Sequence, residues 1–167
     1  MAFHLDQSGK DAGFTLIEVI ISVLIISVVV TGALYAISLG LNSAVRAKNN
    51  LIAANLAQEG LEVVRGIRDR DWHLGNSFGT SLPNGSYLVE ARDQTLNPFA
   101  ENFLKKDSNG FYNYTSGSDT IFKRKIIIEN SGQNPATIER VVKTEVSWQE
   151  KSGLKTIQAE FRLFNWR

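Results

Sequence analysis

Hydrophobic and polar positions divide this chain into two regimes. From Phe14 to Ile37 the side chains are apolar or small hydroxyls, with one ionisable exception, Glu18. These 24 residues exceed the roughly 20 that a helix needs to cross a bilayer. A core helix of a soluble domain would show polar residues at helical spacing, whereas this stretch is apolar all round. It predicts a membrane-compatible helix. The helical pattern then continues in a different form. Leu41, Val45, Ile52, Leu56, Val63 and Ile67 recur at steps of four and seven, while Arg46, Lys48, Glu62 and Arg65 occupy other faces. One helix from Phe14 to about Gly66 is expected, roughly 80 Å long at 1.5 Å per residue. Its first half suits bundling with other helices, and its second half suits packing on a domain of its own chain.

After Asp71 the period changes. The run "WHLGNSFGTSLPNGS" is dense in Gly, Ser, Asn and Pro and reads as loop. Asn84-Gly85 signals a tight turn, and Ser86–Arg92 follows as a short strand. Asp93–Asp119 is polar and irregular, interrupted by Phe99, Phe103, Phe111, Tyr112 and Tyr114. Ile121–Asn130 predicts another strand. In "IERVVKTEVSWQ", Ile138, Val142, Val146 and Trp148 make an apolar face, with Glu139, Lys143, Glu145 and Gln149 opposite. In "LKTIQAEFRLFNW", Ile157, Ala159, Phe161 and Leu163 oppose Gln158, Glu160 and Arg162. A turn over 150–153 joins these two runs into an antiparallel hairpin. Four short strands with one apolar face need a cover, and the amphipathic half of the helix supplies it. The fold class expected is α+β, one long N-terminal helix against a C-terminal antiparallel sheet. No repeat and no second globular domain is visible.

Composition narrows the chemistry. The 167 residues carry a formal net charge of +1, which leaves no clustered basic footprint for nucleic acid. The absence of cysteine excludes disulfides and thiolate metal sites. His4 and His73 are the only histidines, and no Ser-His-Asp set or G-x-S-x-G can be built around them. Glu90, Asp93 and Glu101 are scattered acids. "KDSNG" at Lys106–Gly110 has a calcium-loop look but lacks the third spaced acid and the bidentate Glu. The "KRK" at Lys123–Lys125 is expected to be a solvated strand edge that resists aggregation. No catalytic set, no cofactor and no metal site is expected.

Glu18 is the position that a simple membrane anchor leaves unexplained. An acid at the bilayer centre costs about 2.5–3.5 kcal/mol on insertion scales, so a partner is expected. No Lys or Arg lies between Phe14 and Val45. A cut after Gly13 would create one cation, the α-amine of Phe14, four residues before Glu18. The first thirteen residues are not basic, since Asp6 and Asp11 offset Lys10, and no A-x-A triplet follows the apolar run. An ordinary secretory signal is therefore disfavoured. The residues leave a plain signal anchor open.

"G-F-T-L-I-E" followed by a long apolar helix resembles the cleavage and methylation signal of type IV prepilins and type II secretion pseudopilins. The resemblance implies a leader over 1–13, cut after Gly13 by prepilin peptidase, with N-methylation of Phe14. It implies that Glu18 neutralises the N-terminal amine of a neighbouring subunit during assembly. A membrane and filament-core helix over 14–40 and a pilin head over 41–167 follow. So do its partners: other pilin or pseudopilin subunits, an inner-membrane assembly platform, and lipid before assembly, with nucleic acid not expected. The leader departs from the family in lacking net basic charge. The helix also lacks the proline that kinks many major pilins, the first proline being Pro83. The string Leu51–Asp69 resembles the A-x-x-L-A-x-E-x-L-E-x-x-R region of minor pilins of the PilV kind and I-type pseudopilins, on Ala54, Leu56, Ala57, Glu59, Glu62 and Arg65. Gly60 stands where that pattern has a helix former. A minor pilin is the expectation. A major pilin, a secretion pseudopilin, or a signal-anchored extracellular binding domain that never polymerises are the alternatives.

Overall fold

The computed structural model describes residues 13–132, 134–135 and 137–165. Helix α1 runs from Leu16 to His73. The strands follow in order: β1 Gly85–Leu88, β2 Asn97–Pro98, β3 Phe103–Lys106, β4 Tyr112–Asn113, β5 Ser118–Asn130, β6 Glu139–Glu150 and β7 Gly153–Phe164. The described residues divide into two units between Arg46 and Ala47. In the first unit every described side chain is exposed, including Leu41 and Val45 of the expected stripe.

The second unit is built on one antiparallel sheet. β5 is its axis: β6 lies along one side, while β1 and β3 share the other, opposite 126–128 and 118–123 respectively. β2 pairs with β1, β4 with β3, and β7 with β6. The expected hairpin is present, with Glu150 opposite Gly153 and unbroken register out to Glu139 and Phe164. The expected four short strands are corrected to seven, three of them long. Asp93–Asp119, expected to be irregular, contains β2, β3, β4 and the start of β5. β3 forms against β5, β2 and β4 are added at the edges on β1 and β3, and side-chain turns close the loops between them. The Asp107 carboxylate accepts from the Asn109 and Phe111 amides at 2.9 Å, and Asn113 Oδ1 from the Thr115 and Ser116 amides at 2.9 and 2.7 Å. Gly117 is the tightest point, where a Cβ would stand 2.2 Å from the Lys106 carbonyl oxygen.

From Ala53 onward α1 buries a stripe of nine residues: Ala53, Leu56, Ala57, Gly60, Leu61, Val64, Ile67, Arg68 and Asp71. One cluster joins Leu61, Val64 and Ile67 to Ile126, Ile128, Val142 and Leu163. A second joins Ala53, Leu56 and Ala57 to Leu104, Phe122, Val146 and Trp148. Gly60 has a packing reason for its place. A Cβ there would come 2.8 Å from Ile126 Cδ1 and 3.1 Å from Thr144 Cγ2, so glycine lets helix and sheet approach closely. The helix also ends later than expected. Gly66 does not stop it, because Val64, Ile67 and Arg68 are buried around that turn and outweigh glycine's cost of about 1 kcal/mol. The stop is Gly75, with φ of 79° and its amide bonded to the Trp72 carbonyl. Asp71 then pins the exit loop by accepting from Asn76 Nδ2 and from both the amide and the hydroxyl of Ser81. Burial pushes its carboxyl up, but these hydrogen bonds, with Arg70, bring it net below the ordinary 3.8.

Two charged residues correct the expected pattern. Arg124, the centre of "KRK", is not a solvated edge: it is 1% exposed on the central strand and points under the helix. Its Nη1 donates to the Leu56 carbonyl at 3.0 Å and to Glu59 Oε1 at 2.9 Å, and its Nη2 to the Val89 carbonyl. One guanidinium thereby joins α1, β5 and the segment after β1. Glu139, expected to face outward, does lie on the outer face but is fully buried there. The loop after β5 folds over it, with Ser131 Oγ, Asn134 Nδ2 and Arg162 Nη1 donating to its carboxylate. The Ser131 and Asn134 hydrogen bonds, then Arg162, hold its pKa below the ordinary 4.5. Ile138, expected in the apolar face, precedes the strand and is 47% exposed.

Candidate functional site

The segment that carries the expected chemistry is the start of α1. Gly13, Phe14 and Thr15 are non-helical and exposed, Phe14 to 81%. The Gly13–Phe14 bond therefore lies in accessible chain just before the helix. Residues 1–12 of the expected leader lie outside the described residues. Thr15 caps the helix: its Oγ1 accepts from the Glu18 amide at 3.3 Å, and its carbonyl from the Val19 amide at 3.2 Å. Thr15 and Glu18 thus have the spacing of a capping box. A carboxylate in the first turn also meets the positive end of the helix dipole, worth about 0.3–1 kcal/mol. This local role was readable in T-x-x-E, and the expectation of a partner for Glu18 passed over it.

The Glu18 carboxylate makes no ion pair or side-chain hydrogen bond among the described residues. Three hydroxyls of this helix are satisfied within it. Ser22 Oγ donates to the Glu18 carbonyl at 2.7 Å, Ser27 Oγ to Leu24 at 2.8 Å and Thr31 Oγ1 to Ser27 at 2.7 Å. Glu18 is the one acid on this long apolar stretch, between Phe14 and Val45. The helix is long and apolar enough to cross a membrane.

The remaining candidates resolve into structure. His73 is the last residue of α1. Glu90 accepts from the Tyr114 amide, Asp93 from the Glu90 amide and Asn97 Nδ2, and Glu101 pairs with Lys123 at 3.5 Å. Asp107 of "KDSNG" spends an oxygen on its own turn. Among the described residues no three His, Asp or Glu side chains gather in a way that could hold a metal. Of the helical pattern, Leu56 and Ala57 are buried, Glu59 pairs with Arg124, and Glu62 pairs with Arg65 at 2.6 Å on the exposed face.

A long N-terminal apolar helix and a C-terminal antiparallel sheet make this a pilin-like α+β fold. Residues 8–34 match the family described as the prokaryotic N-terminal methylation motif. The chain therefore carries the class III signal of type IV pilins and pseudopilins, the mark of a pilin-like precursor. Comparison with curated proteins and with solved structures gave no match.

Proposed function

We propose that the chain is a structural subunit, a minor pilin, of a type IV pilus-type filament. It enters the cytoplasmic membrane once, with residues 1–13 in the cytoplasm. Prepilin peptidase cuts between Gly13 and Phe14, and Phe14 is N-methylated. The subunit then leaves the membrane for a filament outside it, in contact with other pilins and an assembly platform. The observation that carries this reading is Glu18: an exposed acid without an ionic partner among the described residues, on a helix where Ser22, Ser27 and Thr31 bond to their own backbone. A carboxylate in such a surroundings favours a cation from outside, and the Phe14 amine of a neighbouring subunit has the right charge at the right height. Desolvation offsets much of that attraction, so the main gain is register between subunits. The minor role rests on Leu56, Ala57 and Glu59, which fit the helix of minor pilins and here join the helix to the sheet.

Glu18→Ala tests the docking charge. Cleavage and methylation should proceed, while incorporation into sheared filaments should be lost. Incorporation at the level of the unchanged chain would overturn it.

A further inference from the structure

The chain contains two Asn-x-Ser/Thr triplets, Asn84-Gly85-Ser86 and Asn113-Tyr114-Thr115. Such a triplet is the acceptor signal for N-linked saccharide, and the two are built differently. At the second, the middle residue is the anchor. The Tyr114 amide donates to Glu90 Oε1 at 2.8 Å, its hydroxyl donates to the Arg124 carbonyl at 3.3 Å, and its ring packs on the second core cluster. Of the residues on either side, Thr115 is exposed and Asn113 is half-buried at the end of β4. Asn113 Oδ1 accepts from the Thr115 amide at 2.9 Å, the Thr115 hydroxyl at 3.3 Å and the Ser116 amide at 2.7 Å, and Nδ2 makes no hydrogen bond among the described residues. Asn113 lines an open cleft of about 430 Å³ with Arg92, Phe111, Tyr112 and Ser116. Phe111 there is 54% exposed.

We propose that Asn113 is an N-glycosylation site, with a polyprenyl-diphosphate-linked saccharide as donor and an oligosaccharyltransferase as catalyst. In the transfer, Asn113 Nδ2 bonds to the anomeric carbon as that carbon's bond to the diphosphate oxygen breaks. The bonding electrons leave with the polyprenyl diphosphate, and one Nδ2 proton passes to a base of the transferase. An amide nitrogen is a weak nucleophile until it gives up a proton, and the charge left behind is shared with its oxygen. Three donors already aimed at Oδ1 stabilise that charge as it develops. The cleft that Asn113 lines gives the first sugar a seat against Phe111. Asn84 lacks this arrangement. Its Oδ1 accepts from one donor instead of three, Arg140 Nη1 at 2.9 Å, and its hydroxyl residue Ser86 lies in β1 opposite Ile127, whereas Thr115 lies outside any strand.

In the cell this rests on the proposed function, which puts the head on the side of the membrane where such transfer occurs. The site itself is testable without translocation. The full chain, purified in detergent, is incubated with a single-subunit transferase that accepts the bare triplet and a synthetic polyprenyl-diphosphate saccharide. Peptide mass should show transfer to Asn113 about tenfold faster than to Asn84. Asn113→Gln and Thr115→Val should abolish it, Thr115→Ser should retain it, and the urea-unfolded chain should accept saccharide at both sites. Equal transfer at both sites of the folded chain would overturn the proposal. So would none at Asn113 while the unfolded chain is modified. Neither result bears on whether Gly13–Phe14 is cut, so the two readings fail separately.

Discussion

Up to Arg46, helix α1 buries none of its side chains; beyond it, the same helix buries nine. The first stretch is apolar all round and exposed among the described residues, which suits the lipid and neighbouring subunits of the proposed function. The second stretch is apolar on one stripe, and its chain supplies both the sheet and the charges that fix it there. One secondary structure thus serves two solvents. The all-round pattern marks the part long and apolar enough to cross a membrane, and the striped pattern marks the part that packs on the sheet.

Substitutions should separate the two regions. Arg124→Ala should be the most damaging change in the head, about 3–5 kcal/mol, because it strands Glu59 and two backbone carbonyls. Urea unfolding of the chain in detergent measures it, and a loss within that of an ordinary surface change would remove the guanidinium from its central role. Gly60→Val should cost about 1–3 kcal/mol through overpacking against Ile126 and Thr144. Next comes acid sensitivity. Asp71 and Glu139 bind protons more weakly folded than unfolded, so their contribution is complete above their ordinary values of 3.8 and 4.5. It is lost as pH falls below those values toward the folded-state pKa. Asp71→Asn and Glu139→Gln should each lower stability at neutral pH and flatten its decline in acid; an unchanged acid limb would contradict the assignment. Smallest of all, Leu24→Val or Val28→Ala should move head unfolding by no more than about 0.5 kcal/mol. A larger shift would mean that the apolar stretch contributes to folding of the head.

The features legible in the sequence were those with a long, uniform period. The apolar helix, the β6–β7 hairpin and the N-terminal methylation motif over residues 8–34 all announce themselves locally. The short strands between Asp93 and Asp119 do not, because two to four residues give no alternation to read, and β5 across the sheet decides them. Arg124 and Glu139 were misplaced for one physical reason. A charge reads as exposed unless its partners are seen, and Glu59 and Val89, or Ser131 and Arg162, are distant in sequence or hidden in a turn. The offset of the helical stripe follows from Ala53, Ala57 and Gly60, whose small side chains carry little hydrophobic signal yet stand closest to the sheet.

The most direct test of the central claim is the mass of the N-terminal peptide after co-expression of the full chain with a prepilin peptidase. A peptide beginning at N-methyl-Phe14 is the predicted result. A chain that keeps residues 1–13, beside a control prepilin that the same peptidase processes, would contradict the account and leave a membrane-anchored head that does not assemble.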